Sequence, residues 1–188
     1  MKYADVTPLA EVAGVVVVDP ARFTDERGVF LESYRAEWIP GGGEMVQANR
    51  ADRSAGTVVG LHFHRHQADH WYVPAGRARV VLHDLRIGSP TEGATWATDI
   101  GGEPGAPPAH FDHRAVYIPP GVAHGFAALS DVTITYLVDR YYDPADELGV
   151  AWDDPDVGAD WGVEHPVLSE RDRSNPRRSA LDLPYFQP

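Results

Sequence analysis

The chain has 188 residues, with 28 Asp and Glu against 16 Lys and Arg, a formal net charge of −12, and no cysteine. That length suits one domain with a full hydrophobic core, expected over residues 1–188, with the core at about 25–142 and a C-terminal wrap over 143–188. The acidic balance argues against a phosphate-backbone footprint and so against a nucleic-acid partner, and the lack of thiols excludes disulfides and thiolate ligands.

Met1-Lys2-Tyr3-Ala4-Asp5 shows no charged segment leading into an apolar run, and no stretch is apolar enough to span a bilayer. No membrane partner and a cytoplasmic location are the expectation. Val15–Val18 is a short β-branched run, and Val29–Tyr34 alternates as a strand after the turn Asp25-Glu26-Arg27-Gly28. Gly41-Gly42-Gly43 reads as a loop. Thr57–Phe63, His70–Val73 and Arg79–Leu85 read as strands, Gly101–Pro108 as a loop, and Ala115–Ile118, Gly125–Leu129 and Val132–Asp139 as further strands. From Tyr142 the chain turns polar and Pro-rich, which predicts short helical pieces on the outside. Short strands about ten residues apart, with little helical periodicity, predict an all-β sandwich or barrel. No phosphate-binding glycine loop and no Gly-x-Ser-x-Gly elbow occurs, so dinucleotide oxidoreductase and serine hydrolase chemistry have no support.

The histidine-dense stretch Gly56–Gly76 carries the chemistry. His62 and His64, two apart on a strand, point to one face, and Asp69 is expected to open the next strand of a hairpin and face them across the ladder, with Gly76 in the turn beyond. Pro119-Pro120-Gly121-Val122-Ala123-His124 supplies a further imidazole after a turn. His62, His64, Asp69 and His124 together form a nitrogen and oxygen set suited to a divalent transition metal: iron, zinc, nickel or manganese. The remaining histidines have plainer readings. His66 belongs to the hairpin loop, His70 has the wrong parity and sits at a rim, His110 and His113 are solvated, and His165 is surface. Trp71, Trp152 and Trp161 read as core or interface.

The pattern Gly-x-x-x-x-x-His-x-His, then an acid, then Gly, with a later Pro-x-Gly-x-x-His, is similar to the motifs of the cupin jelly roll. Over residues 25 to 172 the chain resembles more closely the dTDP-4-dehydrorhamnose 3,5-epimerase family. The pieces are Asp25-Glu26-Arg27-Gly28-x-Phe30-x-Glu32, Gln47-x-Asn49, Gly60-Leu61-His62-Phe63, Asp84-Leu85-Arg86-x-Gly88-Ser89-Pro90-Thr91, Ile118-Pro119-Pro120-Gly121-x-Ala123-His124-Gly125-Phe126, Tyr141-Tyr142-Asp143-Pro144, Trp152-Asp153-Asp154-Pro155-Asp156 and Leu168-Ser169-x-x-Asp172.

The resemblance implies an all-β cupin jelly roll with short peripheral helices, a homodimer, and proton transfer on a dTDP-4-keto-6-deoxyhexose in deoxysugar or natural-product biosynthesis. It implies His62 as base, Asp172 as its orienting carboxylate and Tyr136 as acid, with Arg27, Glu32, Gln47, Asn49 and His124 on the nucleotide sugar. This chain departs from the family where Val59 replaces an arginine, His64 a glutamine and Asp69 a lysine that would stabilise the enolate. The last two changes restore the metal-cupin pattern. Two alternatives follow: a metal-dependent cupin enzyme, such as an oxygenase, on a natural-product substrate, and a non-catalytic ligand-binding cupin. A metal-ligating His62 that also bonds Asp172 would have no free nitrogen with which to act as base.

Overall fold

The computed structural model describes residues 3–39, 41 and 44–187. Gly42 and Gly43 of the expected glycine loop lie outside the described residues. Two antiparallel sheets face each other. The six-stranded one runs β1-β2-β10-β7-β12-β5 and the five-stranded one β13-β6-β11-β8-β9. Their strands are β1 (Ala4–Pro8), β2 (Val16–Pro20), β5 (Gln47–Arg53), β6 (Val58–Phe63), β7 (Asp69–Ala75), β8 (Arg77–Asp84), β9 (Thr95–Gly101), β10 (Ala115–Ile118), β11 (Val122–Ala128), β12 (Val132–Val138) and β13 (Leu148–Gly149). A small ribbon of β3 (Phe23–Asp25) and β4 (Gly28–Phe30) stands apart. From β5 onward consecutive strands alternate between the sheets, except at the β8–β9 hairpin, which makes this the jelly roll that the sequence suggested.

Alternation along the strands decides which residues meet. Val80 and Leu82 of β8, Val122, Phe126 and Ala128 of β11, Trp71 and Val73 of β7, and Val132 and Ile134 of β12 fill the space between the sheets. Each fully buried side chain of this size contributes about 1.5–3 kcal/mol of transfer free energy. The opposite parity, Val81, Ala123 and Ala127, packs outward against Val150, Val157 and Trp161 of the C-terminal wrap. β11 is therefore buried at every residue, and His124, between Val122 and Phe126 in parity, points inward. The wrap carries α1 (Glu170–Ser174) and a short 3-10 turn at Arg178–Ala180, as its polarity suggested.

Several expectations change. The strand expected over Val29–Tyr34 ends at Phe30, because β3 and β4 pair only with each other and Glu32 is held by Arg35 instead of a ladder. β1, β5 and β9 were not anticipated: their polar residues mask the apolar alternation. Both β1 and β2 join the large sheet, which therefore begins before residue 25. β6 and β7 are not a hairpin. They lie in different sheets, so Asp69 faces the histidines across the interior and not across a ladder. His70 is buried, its Nε2 bonded to the Ser33 carbonyl at 2.9 Å. His113 is buried too, between the Tyr72 hydroxyl and the Pro108 carbonyl. Among the described residues no helix is long and apolar enough to cross a membrane.

Candidate active site

A cavity of about 310 Å³ opens between the sheets. His62, His64 and His124 reach it from the five-stranded side, and Asp69, Tyr136, Gln47 and Asn49 from the six-stranded side. The inward aim of His62 depends on an irregularity in β6. His62 pairs with His124 and Val59 with Phe126, so the ladder shifts by one residue between them. Gly60 sits at the shift with φ +113°, where a Cβ would lie 2.9 Å from the Gly125 Cα and the His124 carbonyl. Only glycine lets the two strands approach so closely there. Gly76 is similarly required, since a Cβ on it would meet the Asp131 carbonyl at 2.0 Å.

His62 Nε2 lies 2.6 Å from Asp172 Oδ1. Asp172 comes from the first turn of α1, where Ser169 caps the helix: its hydroxyl accepts the Asp172 N–H and donates to Asp172 Oδ2 at 2.8 Å. Burial alone would raise the Asp172 carboxyl, but the hydrogen bonds from His62 and Ser169 hold it below its usual value. As an ionised acceptor it fixes the proton of His62 on Nε2 and leaves Nδ1 as the basic atom. Glu147 Oε1 is 3.8 Å from that Nδ1, and Glu147 is anchored by Arg171 at 3.0 Å. Across the cavity, burial first, and then Asp69 and Glu147, raise the Tyr136 phenol above its usual value, so it stays protonated.

A second group adjoins this pair. Donor atoms of His64, Asp69 and His124, all buried, lie within 4.8 Å of one another. His64 Nδ1 is 2.9 Å from the Asp146 carbonyl and His124 Nδ1 is 2.9 Å from the Val122 carbonyl. Their Nε2 atoms stand 3.9 and 3.8 Å from the two oxygens of Asp69. Asp69 accepts from Gln67 Nε2 at 2.9 Å and from Trp71 Nε1 at 3.0 Å. Burial pushes the His124 imidazole down to about 4, against the pull of Asp69 and with help from His64.

The structure thus brings together His62, Asp172, Tyr136, His64, Asp69, His124, Gln47 and Asn49, and leaves two residues apart. Arg27 is exposed on the β3–β4 ribbon and pairs with Asp25, while Glu32 pairs with Arg35. His62 stands outside the compact three-residue group, its ring already committed to Asp172. Sequence reasoning missed Glu147, which sits among other acids in a polar segment with no periodicity to mark it. It placed Trp71 in the core, where the ring is, but not the indole N–H bonded to Asp69.

The model of the family described as dTDP-4-dehydrorhamnose 3,5-epimerase matches residues 9–179. A dTDP-4-dehydrorhamnose 3,5-epimerase of Methanothermobacter thermautotrophicus is 35% identical over 170 residues, covering 86% of this chain and 88% of the relative. A dTDP-4-dehydrorhamnose 3-epimerase of Streptomyces niveus is 38% identical over 177 residues, covering 86% and 78%. Among solved structures, NovW, a 4-keto-6-deoxy sugar epimerase from the novobiocin biosynthetic gene cluster of Streptomyces spheroides, superimposes with a TM-score of 0.88 at 34% identity, covering 98% of this chain and 94% of that one. The dTDP-6-deoxy-D-glucose-3,5-epimerase of Legionella pneumophila, in complex with dTDP-4-keto-L-rhamnose, gives 0.88 at 30% identity and covers 98% and 100%. A match over residues 9–179, with relatives this similar across most of their length, means that the chain belongs to the dTDP-4-dehydrorhamnose 3,5-epimerase family.

Proposed function

We propose that this chain epimerises a dTDP-4-keto-6-deoxyhexose by proton transfer between His62 and Tyr136. One observation carries the assignment: His62 is bonded to Asp172 at 2.6 Å and shares a cavity with a protonated tyrosine on the facing sheet. The carbonyl makes the neighbouring C–H acidic. His62 Nδ1 takes that proton, the electron pair moves into the enolate, and Tyr136 returns a proton to the opposite face, inverting the carbon. Asp172 stabilises the imidazolium formed on the way. Gln47 and Asn49, hydrogen-bonded to each other at 2.9 Å on β5, hold the substrate, with His124 beside its reacting end. Arg27 serves a second copy in a homodimer: its side chain is 85% exposed on a ribbon that also exposes Phe23 and Phe30, and it lies away from this chain's own cavity.

The test is deuterium wash-in from heavy water at the carbons flanking the keto group, followed by NMR on dTDP-4-keto-6-deoxyglucose. The wild-type chain exchanges, and His62→Asn loses about 10³-fold. Tyr136→Phe retains wash-in but loses inversion. Exchange that is absent in the wild type, or that survives His62→Asn unchanged, sinks this reading. The enolate oxygen still needs an electrophile, and Asp69 is an anion where the family resemblance places a cation.

A further inference from the structure

The structure assigns a binding site for one divalent first-row transition-metal ion to His64, Asp69 and His124. The inference rests on the chemistry of the donors. A carbonyl oxygen only accepts, so the 2.9 Å contacts to the Asp146 and Val122 carbonyls place the hydrogens of both rings on Nδ1. In neutral rings Nε2 is then a bare lone pair, and both Nε2 atoms stand within 4 Å of a carboxylate that, when ionised, can itself only accept. Three acceptors converge at 3.8 and 3.9 Å with no hydrogen of their own to share, an arrangement that a cation between them satisfies.

The surroundings fit the same reading. Each imidazole is oriented through its other nitrogen, and the two oxygens of Asp69 are each fixed by one donor, Gln67 and Trp71, as outer partners fix ligands at metal centres. Among the described residues no Lys or Arg pairs with Asp69. His64 directly follows the end of β6 and His124 lies on β11, both strands of the five-stranded sheet, while Asp69 opens β7 of the other, so the three donors approach from two sides and the remaining side opens on the cavity with Tyr136. Two imidazoles and one carboxylate with positions left open suit iron, zinc, manganese or nickel, and not calcium or magnesium. A divalent ion there supplies Lewis-acid polarisation of an oxygen brought against it. His62 is not needed as a ligand and keeps Nδ1 for proton transfer, so metal and base do not compete for one ring. In this respect the site deepens the epimerase reading and rests on it only for the role of the ion.

The experiment is titration of the untagged, EDTA-stripped full chain with Co(II), followed by visible absorption and X-ray absorption at the cobalt edge. One equivalent per chain, visible d–d bands and two imidazoles in the first shell are expected. Asp69→Asn and His124→Gln should each abolish stoichiometric binding, Trp71→Phe should weaken it by about tenfold, and His62→Asn should leave it intact. No stoichiometric binding, a shell without imidazole, or binding lost with His62→Asn overturns the assignment. The wild-type absorption edge decides even where a variant fails to fold. Co(II) bound without any deuterium wash-in would remove the epimerase reading and leave the metal site, whereas full wash-in by a chain that binds no Co(II) would remove the metal site alone.

Discussion

Asp84 and Asp69 are both buried carboxylates at strand ends, 0% and 3% exposed, and they are treated in opposite ways. Asp84, the last residue of β8, receives Arg86 Nε at 2.7 Å, Arg86 Nη2 at 2.8 Å, Ser89 Oγ at 2.6 Å and Thr91 Oγ1 at 2.7 Å. Arg86 also reaches the Ala13 carbonyl at 2.6 Å, so the knot ties the N-terminal segment to the sheet edge. Burial would raise the Asp84 carboxyl, yet these donors hold it below its usual value. Asp69 has two neutral donors and two imidazole lone pairs. One charge is closed off and the other is left facing a cavity, and that difference separates a carboxylate that holds the fold from the one proposed to hold a metal ion.

The largest effect expected from this contrast comes from exchanging each carboxylate for its amide. Asp84→Asn strands the Arg86 guanidinium, which is 5% exposed, without its counter-charge and should cost about 3–5 kcal/mol. Asp69→Asn removes a buried charge that no Lys or Arg pairs with among the described residues, so in EDTA it should change stability by under about 1 kcal/mol or raise it. Urea unfolding of both variants measures the two costs side by side. Equal losses would mean that Asp69 is also a structural carboxylate, and the comparison would fail.

The histidines repeat the contrast on a smaller scale. His83, beside Asp84, bonds Thr95 Oγ1 through Nδ1 at 2.8 Å, and its Nε2 is sealed without a partner among the described residues. His124 keeps its Nε2 on the cavity side. Burial first, then the charge of Arg178, pushes His83 from 6.5 down to about 4. The unfolded chain therefore takes up this proton as pH falls below 6.5, while the folded chain refuses it until about 4. The stability that His83 contributes is complete above the unfolded value, declines through that window and is lost below it, at most about 3 kcal/mol. His83→Gln should flatten the difference in unfolding free energy between pH 7 and pH 4.5 relative to the wild type. An unchanged slope would show that His83 is not the group titrating.

Much of this was legible in the sequence. Where a continuous apolar run is bounded by turn residues, as Ala115–Ile118 is by Pro119-Pro120-Gly121, the expected bounds match; β5 escaped notice because Gln47-Ala48-Asn49-Arg50-Ala51-Asp52-Arg53 has hardly an apolar face. The inward aim of His62 and His64 followed from parity, although the shift at Gly60 had to restore that parity between Val59 and His62. Which strand Asp69 would face was not legible, because switching between sheets is a property of the whole topology. His70 and His113 looked exposed because the groups that bury and bond them, Ser33 and Tyr72, lie 37 and 41 residues away in the chain. The motif around Asp84, which helped mark the family, turns out to be a structural knot and not part of the cavity.

A third buried carboxylate, Asp172, falls between the other two and gives the smallest of these effects. Its partner is an imidazole, and it reaches the site from the wrap through the cap at Ser169. Asp172→Asn keeps the shape and a hydrogen-bond acceptor for His62 Nε2, but it removes the charge proposed to stabilise the imidazolium. Deuterium wash-in should fall by about 10²-fold in kcat with KM nearly unchanged. Ser169→Ala leaves the carboxylate but loosens its seat, at about 1 kcal/mol of helix capping, and should cost less in rate than the amide does. If KM rises as far as kcat falls in Asp172→Asn, then Asp172 serves chiefly to hold the wrap against β6, as Asp84 holds the N-terminal segment, and the charge on the base has to be balanced by Glu147 instead.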